Sequence, residues 1–308
     1  MRVQEQTTLA RSAAASGVAL HSGAETKIVL RPAGAGTGIV FWRMDLRDAA
    51  DARLPVIDAV IAARPNNVSG ARYGVRLANA AGVSVMTVEH LMAAFSICEI
   101  DNAVVEVYGP EIPGFDGSTA PIIALLDQAG VKPLAAAREA IEARATLRVE
   151  DGDRFIEVSP AEGRFVEVTI DFPDAAIGRQ SISFSLDDDV CPVERLIAAR
   201  TFCRHQDIEP MRAAGYGRGG TLENAVVVDG GRLLNPAGLR DPEEFVLHKA
   251  LDLLGDLYLL GAPLYGRVRA HKPGHDLNTR FVQRLAADHA SVERRVIPHE
   301  EERKLLSA

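Results

Sequence analysis

The chain has 308 residues, 47% hydrophobic and 25% charged, so it is long enough for two domains with well-buried cores. Its formal net charge of −8 gives no electrostatic support for a nucleic-acid partner, although local basic positions could still bind a phosphate. Three cysteines, an odd number without a CxxC pair, argue against a disulfide framework, and neither a transmembrane segment nor a signal peptide is recognisable. We therefore expect a cytoplasmic protein with reduced thiols.

The first part of the chain alternates short β-like runs with turn signals. Residues 26–30 and 38–42 flank a Gly- and Pro-rich turn, a pattern that predicts a β-hairpin. Apolar positions 88, 91, 92 and 95 follow helical spacing, which predicts a helix with Thr87 as its N-cap. We expect a strand at 103–107 and a helix at 120–129 to follow.

The later part of the chain again mixes strands with helices. Residues 132–138 are typical of a connection between two domains. The tetrapeptide Asn-Ala-Val-Val occurs at 102–105 and again at 224–227, each time as a predicted strand before a Pro-containing turn and a helix, which favours two similar halves. Strands are predicted at 155–158, 165–170, 181–184 and 266–270, and a closing helix at 278–289. The predicted fold class is α+β, not the regular βαβ alternation of a doubly wound sheet.

A predicted helix over residues 243–256 carries a polar stripe. His248, Asp252 and Asp256 are spaced four residues apart, which places them on one helix face above one another. An imidazole and a carboxylate at this spacing form half of a metal site, with a third acid following. The alternative at this stage is an ordinary solvated helix face, which short motifs of this kind often form.

A second pair of candidate residues, Glu89 and His90, lies near the start of the earlier helix. Either they are a surface acid beside a half-buried histidine, or His90 joins His248 and Asp252 around a metal. Two histidines and one aspartate leave a coordination position open, as in catalytic rather than structural zinc sites. Glu89 would then act as a general base on a water held by the metal. The order is not H-E-x-x-H, so the usual metalloprotease helix is excluded.

Several further residues have either a structural or a functional interpretation. His275 follows a Pro-Gly turn in a predicted loop; it is either merely exposed or a general acid tuned by Asp256. Lys249 is either solvated or close to a developing oxyanion. The glycine-rich run 215–220 lacks both the dinucleotide fingerprint and the P-loop pattern, and is interpreted as a flexible loop. The cysteines are interpreted as packing residues.

These motifs together resemble one known family. The helix segments around Glu89-His90 and His248–Asp256, with Gly274-His275, are similar to those of the UDP-3-O-acyl-N-acetylglucosamine deacetylases, the zinc amidases of lipid A biosynthesis. The likeness covers nearly the whole chain. Four further motifs carry it: Gly17-Val18-Ala19-Leu20-His21-Ser22-Gly23, Gly109-Pro110-Glu111-Ile112-Pro113, Asp116-Gly117-Ser118 and Ala199-Arg200-Thr201-Phe202.

The resemblance implies a role for each site residue. His90, His248 and Asp252 would hold Zn²⁺, and Glu89 would deprotonate the water that attacks the acetamide carbonyl. Lys249 and the Thr201 hydroxyl would stabilise the oxyanion beside the metal. His275, oriented by Asp256, would stabilise charge or protonate the leaving amine. Phe202, Phe172 and Lys272 would contact the substrate, with Phe172 and Lys272 near its nucleotide.

The resemblance also implies the architecture and the substrate. Two similar α+β sandwich domains, residues 1–133 and 134–308, would pack helix layer to helix layer, each with a small insert. The zinc would lie at their junction, and the second insert, around residues 202–226, would form a passage for an acyl chain. The substrate would be a UDP-linked acylated amino sugar that loses acetate in the committed step of lipid A biosynthesis, and a monomer is expected.

The sequence departs from the family pattern within that second insert. Arg204, His205 and Gln206 stand where many relatives have apolar residues, and residues 216–218 are also polar. We expect these charges at the mouth of the passage, with their ends in water. Two other classes of protein compete with the deacetylase hypothesis. A non-catalytic binding module would lack a ligand or the base, and a dinucleotide-dependent oxidoreductase would need the absent fingerprint.

Overall fold

The computed structural model describes residues 3–47, 55–188 and 190–298 of the chain. Its helices are α1 (Met44–Arg47), α2 (Glu89–Ile97), α3 (Ala120–Ala129), α4 (Val193–Ala198), α5 (His205–Ala213), α6 (Glu244–Tyr258) and α7 (His275–Ala287). The first ten strands are β1 (Glu5–Leu9), β2 (Ala13–Val18), β3 (Glu25–Pro32), β4 (Ile39–Arg43), β5 (Val60–Ala62), β6 (Val68–Gly70), β7 (Arg76–Ala78), β8 (Ser84–Met86), β9 (Ala103–Tyr108) and β10 (Val131–Ala137). The other ten are β11 (Glu139–Ala143), β12 (Leu147–Asp151), β13 (Arg154–Ser159), β14 (Arg164–Asp171), β15 (Arg179–Ser185), β16 (Phe202–Arg204), β17 (Val226–Asp229), β18 (Arg232–Leu233), β19 (Leu264–His271) and β20 (Val292–Val296). The predicted α+β class is confirmed.

A five-stranded sheet in the order β2-β3-β9-β4-β5 forms the first large unit. β9 is antiparallel to β3 and parallel to β4, so it separates the two strands that the sequence predicted as a hairpin. That prediction was wrong. The loop before β4 crosses the start of β9 instead, because its Gly38 N–H donates to Asn102 Oδ1 at 2.9 Å and Gly38 O accepts from Ala103 N at 3.1 Å.

A seven-stranded sheet repeats the same topology. β19 is antiparallel to β13 and parallel to β14, as β9 is to β3 and β4, and each central strand lies between two helices in sequence. The strand topology therefore repeats within the chain, but the repeat that the tetrapeptide predicted was wrong. The second copy of that tetrapeptide leads into β17, which belongs to a three-stranded sheet with β16 and β18, whereas the counterpart of β9 is β19.

Extra elements occur at the same place in each half of the chain. The three-stranded sheet β6-β7-β8 lies between β5 and α2, and we call it the first insert. The segment from α4 to β18 lies between β15 and α6, and we call it the second insert. Each insert therefore leads into one of the two helices that carry the candidate metal ligands.

The helices α2 and α6 pack directly against each other. Gly255 of α6 permits this approach, since a Cβ there would lie 2.0 Å from Glu89 O. Every residue of α6 except Lys249 is buried, so the alternative of a solvated polar stripe is wrong. The predicted domain boundary at 133 falls inside β10, a strand paired with β1, and the division into two sandwich domains stays a prediction. Within the described ranges, no helix has both the length and the apolar character that crossing a bilayer requires.

Candidate active site

Three side chains from α2 and α6 converge in the protein interior. His90 lies in the first turn of α2, and His248 and Asp252 lie one turn apart on α6. Asp252 Oδ1 is 3.6 Å from His90 Nε2 and 3.4 Å from His248 Nε2, and the three candidate ligand atoms lie within 4.8 Å of one another. The predicted partnership between the two helices is therefore present in the structure.

The chemical state of these residues fits a divalent metal ion. His248 Nδ1 is 3.0 Å from Ala199 O, so this nitrogen donates its proton to the carbonyl and leaves Nε2 with a free lone pair. Burial lowers the pKa of His248 to about 4, which keeps the ring neutral at physiological pH. Asp252 Oδ1 is buried without a hydrogen-bond partner among the described residues, a costly state that a bound cation would relieve. Imidazole nitrogen and carboxylate oxygen are ligands that zinc accepts.

Glu89, the first residue of α2, lies beside this cluster and is only 3% exposed. Its Oε2 accepts a hydrogen bond from Val75 N at 2.9 Å, while Oε1 lies 3.7 Å from His275 Nε2. Burial raises the pKa of Glu89, which makes its carboxylate a stronger base. One carboxylate oxygen is thus anchored and the other faces the reactive groups.

His275 is the first residue of α7 and not a loop residue, so that prediction was wrong. Its Nδ1 lies 2.9 Å from Asp256 Oδ2, which also accepts from Asn278 Nδ2 at 2.8 Å. Burial alone would lower the pKa of His275, but the Asp256, Glu89 and Asp252 carboxylates together raise it to about 10. Nε2 therefore carries a proton at neutral pH. Asn278 was missed by the sequence analysis, although it follows His275 at helical spacing.

Lys249 and Thr201, the predicted oxyanion donors, both line the cavity that opens beside the cluster. Lys249 Nζ donates to Asp252 Oδ2 at 2.8 Å and lies 5.4 Å from the centre of the Phe202 ring. Burial would lower the pKa of Lys249, but the adjacent Asp252 carboxylate raises it, so the ammonium stays charged. Thr201 lies at the same cavity, and its backbone is held by a 2.8 Å bond from its N–H to Gly117 O.

A cavity of about 440 Å³ opens beside the cluster, and the second insert contributes much of its wall. Phe172 and Phe202 face it and meet edge to face at 5.6 Å between ring centres. The other apolar lining residues are Leu20, Ile208, Met211, Leu222, Ala225 and Val227. Lys272 does not line this cavity; its Nζ is 2.6 Å from Asp153 Oδ2, so its nucleotide contact stays a prediction.

The polar residues of the second insert that depart from the family pattern lie in different environments. Arg204 lines the cavity and its Nε lies 2.9 Å from Asp174 Oδ2, whereas His205 and Gln206 are exposed and do not line it. Tyr216 packs its ring 5.4 Å from that of His21, and Gly217 N donates to His21 Nδ1 at 3.4 Å. Arg204 is thus the one of its three-residue run that faces the cavity.

Two buried residues, His21 at this cavity's wall and Glu111 beneath the loop that carries it, belong to motifs whose function the sequence analysis left unassigned. His21 is 3% exposed and its Nε2 lies 3.0 Å from Tyr73 O. Glu111 is fully buried and accepts from the backbone N–H groups of His21 and Ser22. In the sequence, both residues lie in Gly- or Pro-containing motifs, but no regular spacing between the two motifs indicates that His21 and Glu111 are in contact.

A buried ion pair anchors the segment that precedes Thr201 to the start of α6. Glu244 Oε1 accepts from both the backbone N–H and Nε of Arg200, at 3.0 and 2.8 Å, and Oε2 accepts from Arg240 N at 2.7 Å. Glu244 is fully buried. Because Ala199 O receives the proton of His248, this pair also fixes the acceptor that orients a metal ligand.

Removing this anchor is expected to destabilise the fold strongly. Glu244→Ala leaves the buried Arg200 charge unpaired, which costs about 3–5 kcal/mol of unfolding free energy. Burial would raise the pKa of Glu244, but Arg200 and the N–H groups of Arg200 and Arg240 hold it below its usual value. The stabilisation is therefore complete above the unfolded-state pKa and is lost as the pH falls through the lower folded-state pKa.

Urea unfolding of native and Glu244→Ala protein between pH 7 and pH 3 measures this effect. The difference in unfolding free energy should shrink on acidification. Glu167→Ala, which breaks the half-exposed pair with Arg267, is the control and should cost below about 1 kcal/mol. A Glu244 difference that is equally small, or that does not change with pH, contradicts the assignment.

Two histidines and one aspartate as donors, with the buried Glu89 carboxylate and His275 beside them, are typical of a metal-dependent hydrolase. Comparisons with known proteins agree. Residues 6–287 match the family described as LpxC, UDP-3-O-acyl N-acetylglycosamine deacetylase. The chain therefore belongs to this family of hydrolases, as its motifs predicted, and the two competing protein classes are excluded.

Curated relatives extend this match over most of their length. A UDP-3-O-acyl-N-acetylglucosamine deacetylase of Phenylobacterium zucineum (strain HLK1) is 46% identical over 282 residues, covering 92% of this chain and 93% of the relative. The protein of that name from Anaeromyxobacter sp. (strain Fw109-5) is 42% identical over 289 residues, covering 94% and 90%. That of Haemophilus influenzae (strain 86-028NP) is 40% identical over 285 residues, covering 92% and 90%.

Proposed function

We propose that this protein hydrolyses the N-acetyl group of UDP-3-O-(3-hydroxyacyl)-N-acetylglucosamine and releases acetate, the committed step of lipid A biosynthesis. The names of its relatives support the substrate and the reaction. The single structural observation that carries the proposal is Asp252 Oδ1, a buried oxygen without a hydrogen-bond partner in the described part of the chain and within 3.6 Å of two imidazole nitrogens.

Zn²⁺ is the proposed metal, held by His90, His248 and Asp252. When bound, it would polarise the acetamide carbonyl and lower the pKa of a water molecule toward neutrality. The neutral ring of His248 and the ionised Asp252 need no deprotonation to serve as ligands.

The side chains around the metal position move protons and stabilise charge. Glu89, held through Oε2 by Val75, accepts the proton of the attacking water. Lys249 and Thr201 donate hydrogen bonds to the carbonyl oxygen as it gains negative charge. His275 carries a proton on Nε2, 3.7 Å from Glu89 Oε1, and delivers it to the leaving amine. Asp256 holds Nδ1 and thus fixes the orientation of the ring.

The cavity supports the assignment of an acylated substrate. Its apolar wall, formed by Phe202 and the side chains of the second insert, suits a hydrocarbon chain, while its polar end meets the cluster. We also propose a cytoplasmic monomer. The three free cysteines agree with a reducing compartment, and light scattering of the purified protein would test the monomer.

Acetate release from the UDP-sugar substrate tests this function. Native protein is compared in metal-free and zinc-restored form, together with Glu89→Ala; only the zinc-restored native protein should be active. Glu167→Ala removes a carboxylate that does not line the cavity and should retain full activity. Zinc-independent activity, or a Glu89→Ala variant as fast as native protein, overturns the mechanism.

The cavity-facing charge of Arg204 gives a prediction about chain-length preference. Arg204→Phe removes the ion pair with Asp174 and adds an apolar wall, so KM for long-chain substrates should fall relative to short-chain ones. Gln206→Phe, on the exposed side of the same insert, is the control. If Arg204→Phe changes neither the chain-length preference nor KM, the placement of this charge at the mouth of the passage is wrong.

A further inference from the structure

The Glu111 carboxylate joins two parts of the candidate active site. Its Oε1 accepts from His21 N at 2.9 Å and from Thr87 Oγ1 at 2.8 Å, and its Oε2 accepts from Ser22 N at 2.7 Å. It is fully buried. One carboxylate therefore fixes both the loop that carries His21 to the cavity wall and the residue that begins the turn into α2.

Thr87 has an unusual backbone conformation at this turn. Its φ is +58°, a region that β-branched residues rarely adopt. It is not the N-cap that the sequence predicted, because Val88 takes that position and none of the described side chains caps the helix. The Thr87 hydroxyl donates to Glu111 instead, and its N–H donates to Val75 O at 2.8 Å. These bonds hold the chain at the angle from which Glu89 and His90 enter α2.

The segment Tyr73-Gly74-Val75 closes the network on its other side. Tyr73 O lies 3.0 Å from His21 Nε2, and Val75 N donates to Glu89 Oε2 at 2.9 Å. Gly74 makes this approach possible, since a Cβ there would lie 2.9 Å from Glu89 Oε1. A shift of either the His21 loop or Thr87 would therefore move the segment that anchors Glu89.

We infer that Glu111 is a positioning residue of this active site, which acts through Thr87 and residues 73–75 to hold Glu89, His90 and His21 in place. The inference rests on the proposed function where it is tested by the rate of acetate release. The test by zinc affinity is independent of that function, because His90 follows Thr87 by three residues and the same turn places the His90 ring.

Thr87→Val tests the link with little change in side-chain shape, because only the hydroxyl is lost. We expect Thr87→Val to lower kcat about 10-fold, to leave KM within about twofold, and to weaken zinc binding about 10-fold, as expected when a residue that orients metal ligands is removed. Glu111→Gln should lower kcat similarly and also raise KM, because the His21 loop forms part of the cavity wall. Thr87→Ser keeps the hydroxyl and should restore kcat and zinc affinity.

Thr8→Val is the matched control. Thr8 is also buried and does not line the cavity. Its hydroxyl donates to Asn102 O at 2.7 Å and accepts from Ala33 N at 2.8 Å, so the change breaks two hydrogen bonds. Thr8→Val should therefore lower Tm at least as much as Thr87→Val, while kcat and zinc affinity stay within about twofold of native values. The double variant Thr87→Val/Glu111→Gln should be no slower than Glu111→Gln alone, since Thr87 acts through its contact with Glu111.

The measurements are kcat and KM for acetate release, zinc affinity by chelator competition without substrate, and Tm of the zinc-free proteins. Variants that lose only Tm, as Thr8→Val does, overturn the positioning role, as would fully additive effects in the double variant. If native protein binds zinc but releases no acetate, the proposed function fails, and reduced zinc affinity in Thr87→Val still supports the positioning role.

Discussion

Glu89→Gln is expected to release acetate about 10²–10⁴-fold more slowly than the native enzyme while it retains its metal. The amide oxygen can still accept the Val75 N–H, so the side chain keeps its place, but it cannot accept a proton from the attacking water. Since Glu89 is no candidate ligand, the three metal-binding side chains are unchanged. Steady-state kinetics and zinc content per protein chain measure the two effects separately.

Gln283→Glu makes the opposite exchange, from amide to carboxylate, and serves as the control. This α7 side chain donates to Pro65 O and does not line the cavity beside the metal ligands. It should show native kcat. If Glu89→Gln loses zinc together with activity, the loss of rate no longer identifies a base. If it retains both, another group must accept the proton.

Asp252→Ala is expected to weaken zinc binding by at least about 100-fold and to abolish acetate release. Removal of a ligand should cost at least as much affinity as loss of a group that only orients one. The change also leaves the Lys249 ammonium without its 2.8 Å partner, so positive charge faces the metal position uncompensated. Chelator competition measures the zinc affinity, and added zinc should not restore full activity.

The control for this variant is Asp276→Ala. Asp276 lies beside His275 on α7, but its carboxylate pairs with Arg154 and does not line the cavity. Asp276→Ala should therefore bind zinc with native affinity. An Asp252→Ala protein that still binds zinc tightly would show that Asp252 is not a ligand, and the unpartnered Oδ1 would need another explanation.

Features of the candidate site that depend on local periodicity could be predicted from the sequence. His248, Asp252 and Asp256 fall on one helix face because of their spacing, and the structure places them there. Their burial was not predictable from that stripe, since it depends on α2, which packs against α6 from far away in the chain. The Glu89-His90 pair on α2 supplied that partner, but the contact itself needed the resemblance to the family.

Errors arose where non-local pairing overrode a local pattern. The expected hairpin failed because β9, which comes much later in the chain, inserts between β3 and β4. Asn102, the residue before β9, also accepts the Gly38 N–H just before β4. Thr87 has the right residue type for an N-cap, yet its hydroxyl bonds to Glu111 instead. His275 was assigned to a loop because the Pro-Gly turn precedes it, whereas α7 begins at His275 itself.

The two inserts lie outside the large sheets and the ligand-bearing helices, so their sequence can vary where that of the core cannot. Both interrupt the topology at the same point, between the strands of a large sheet and the helix that carries metal ligands. Phe202, Arg204 and Met211 of the cavity wall therefore lie in a segment that contributes no strand to either large sheet. Substrate preference can evolve by substitution or lengthening of these segments without altering the core that holds the ligands. Orthologues adapted to different acyl chains should accordingly differ most in length and composition there.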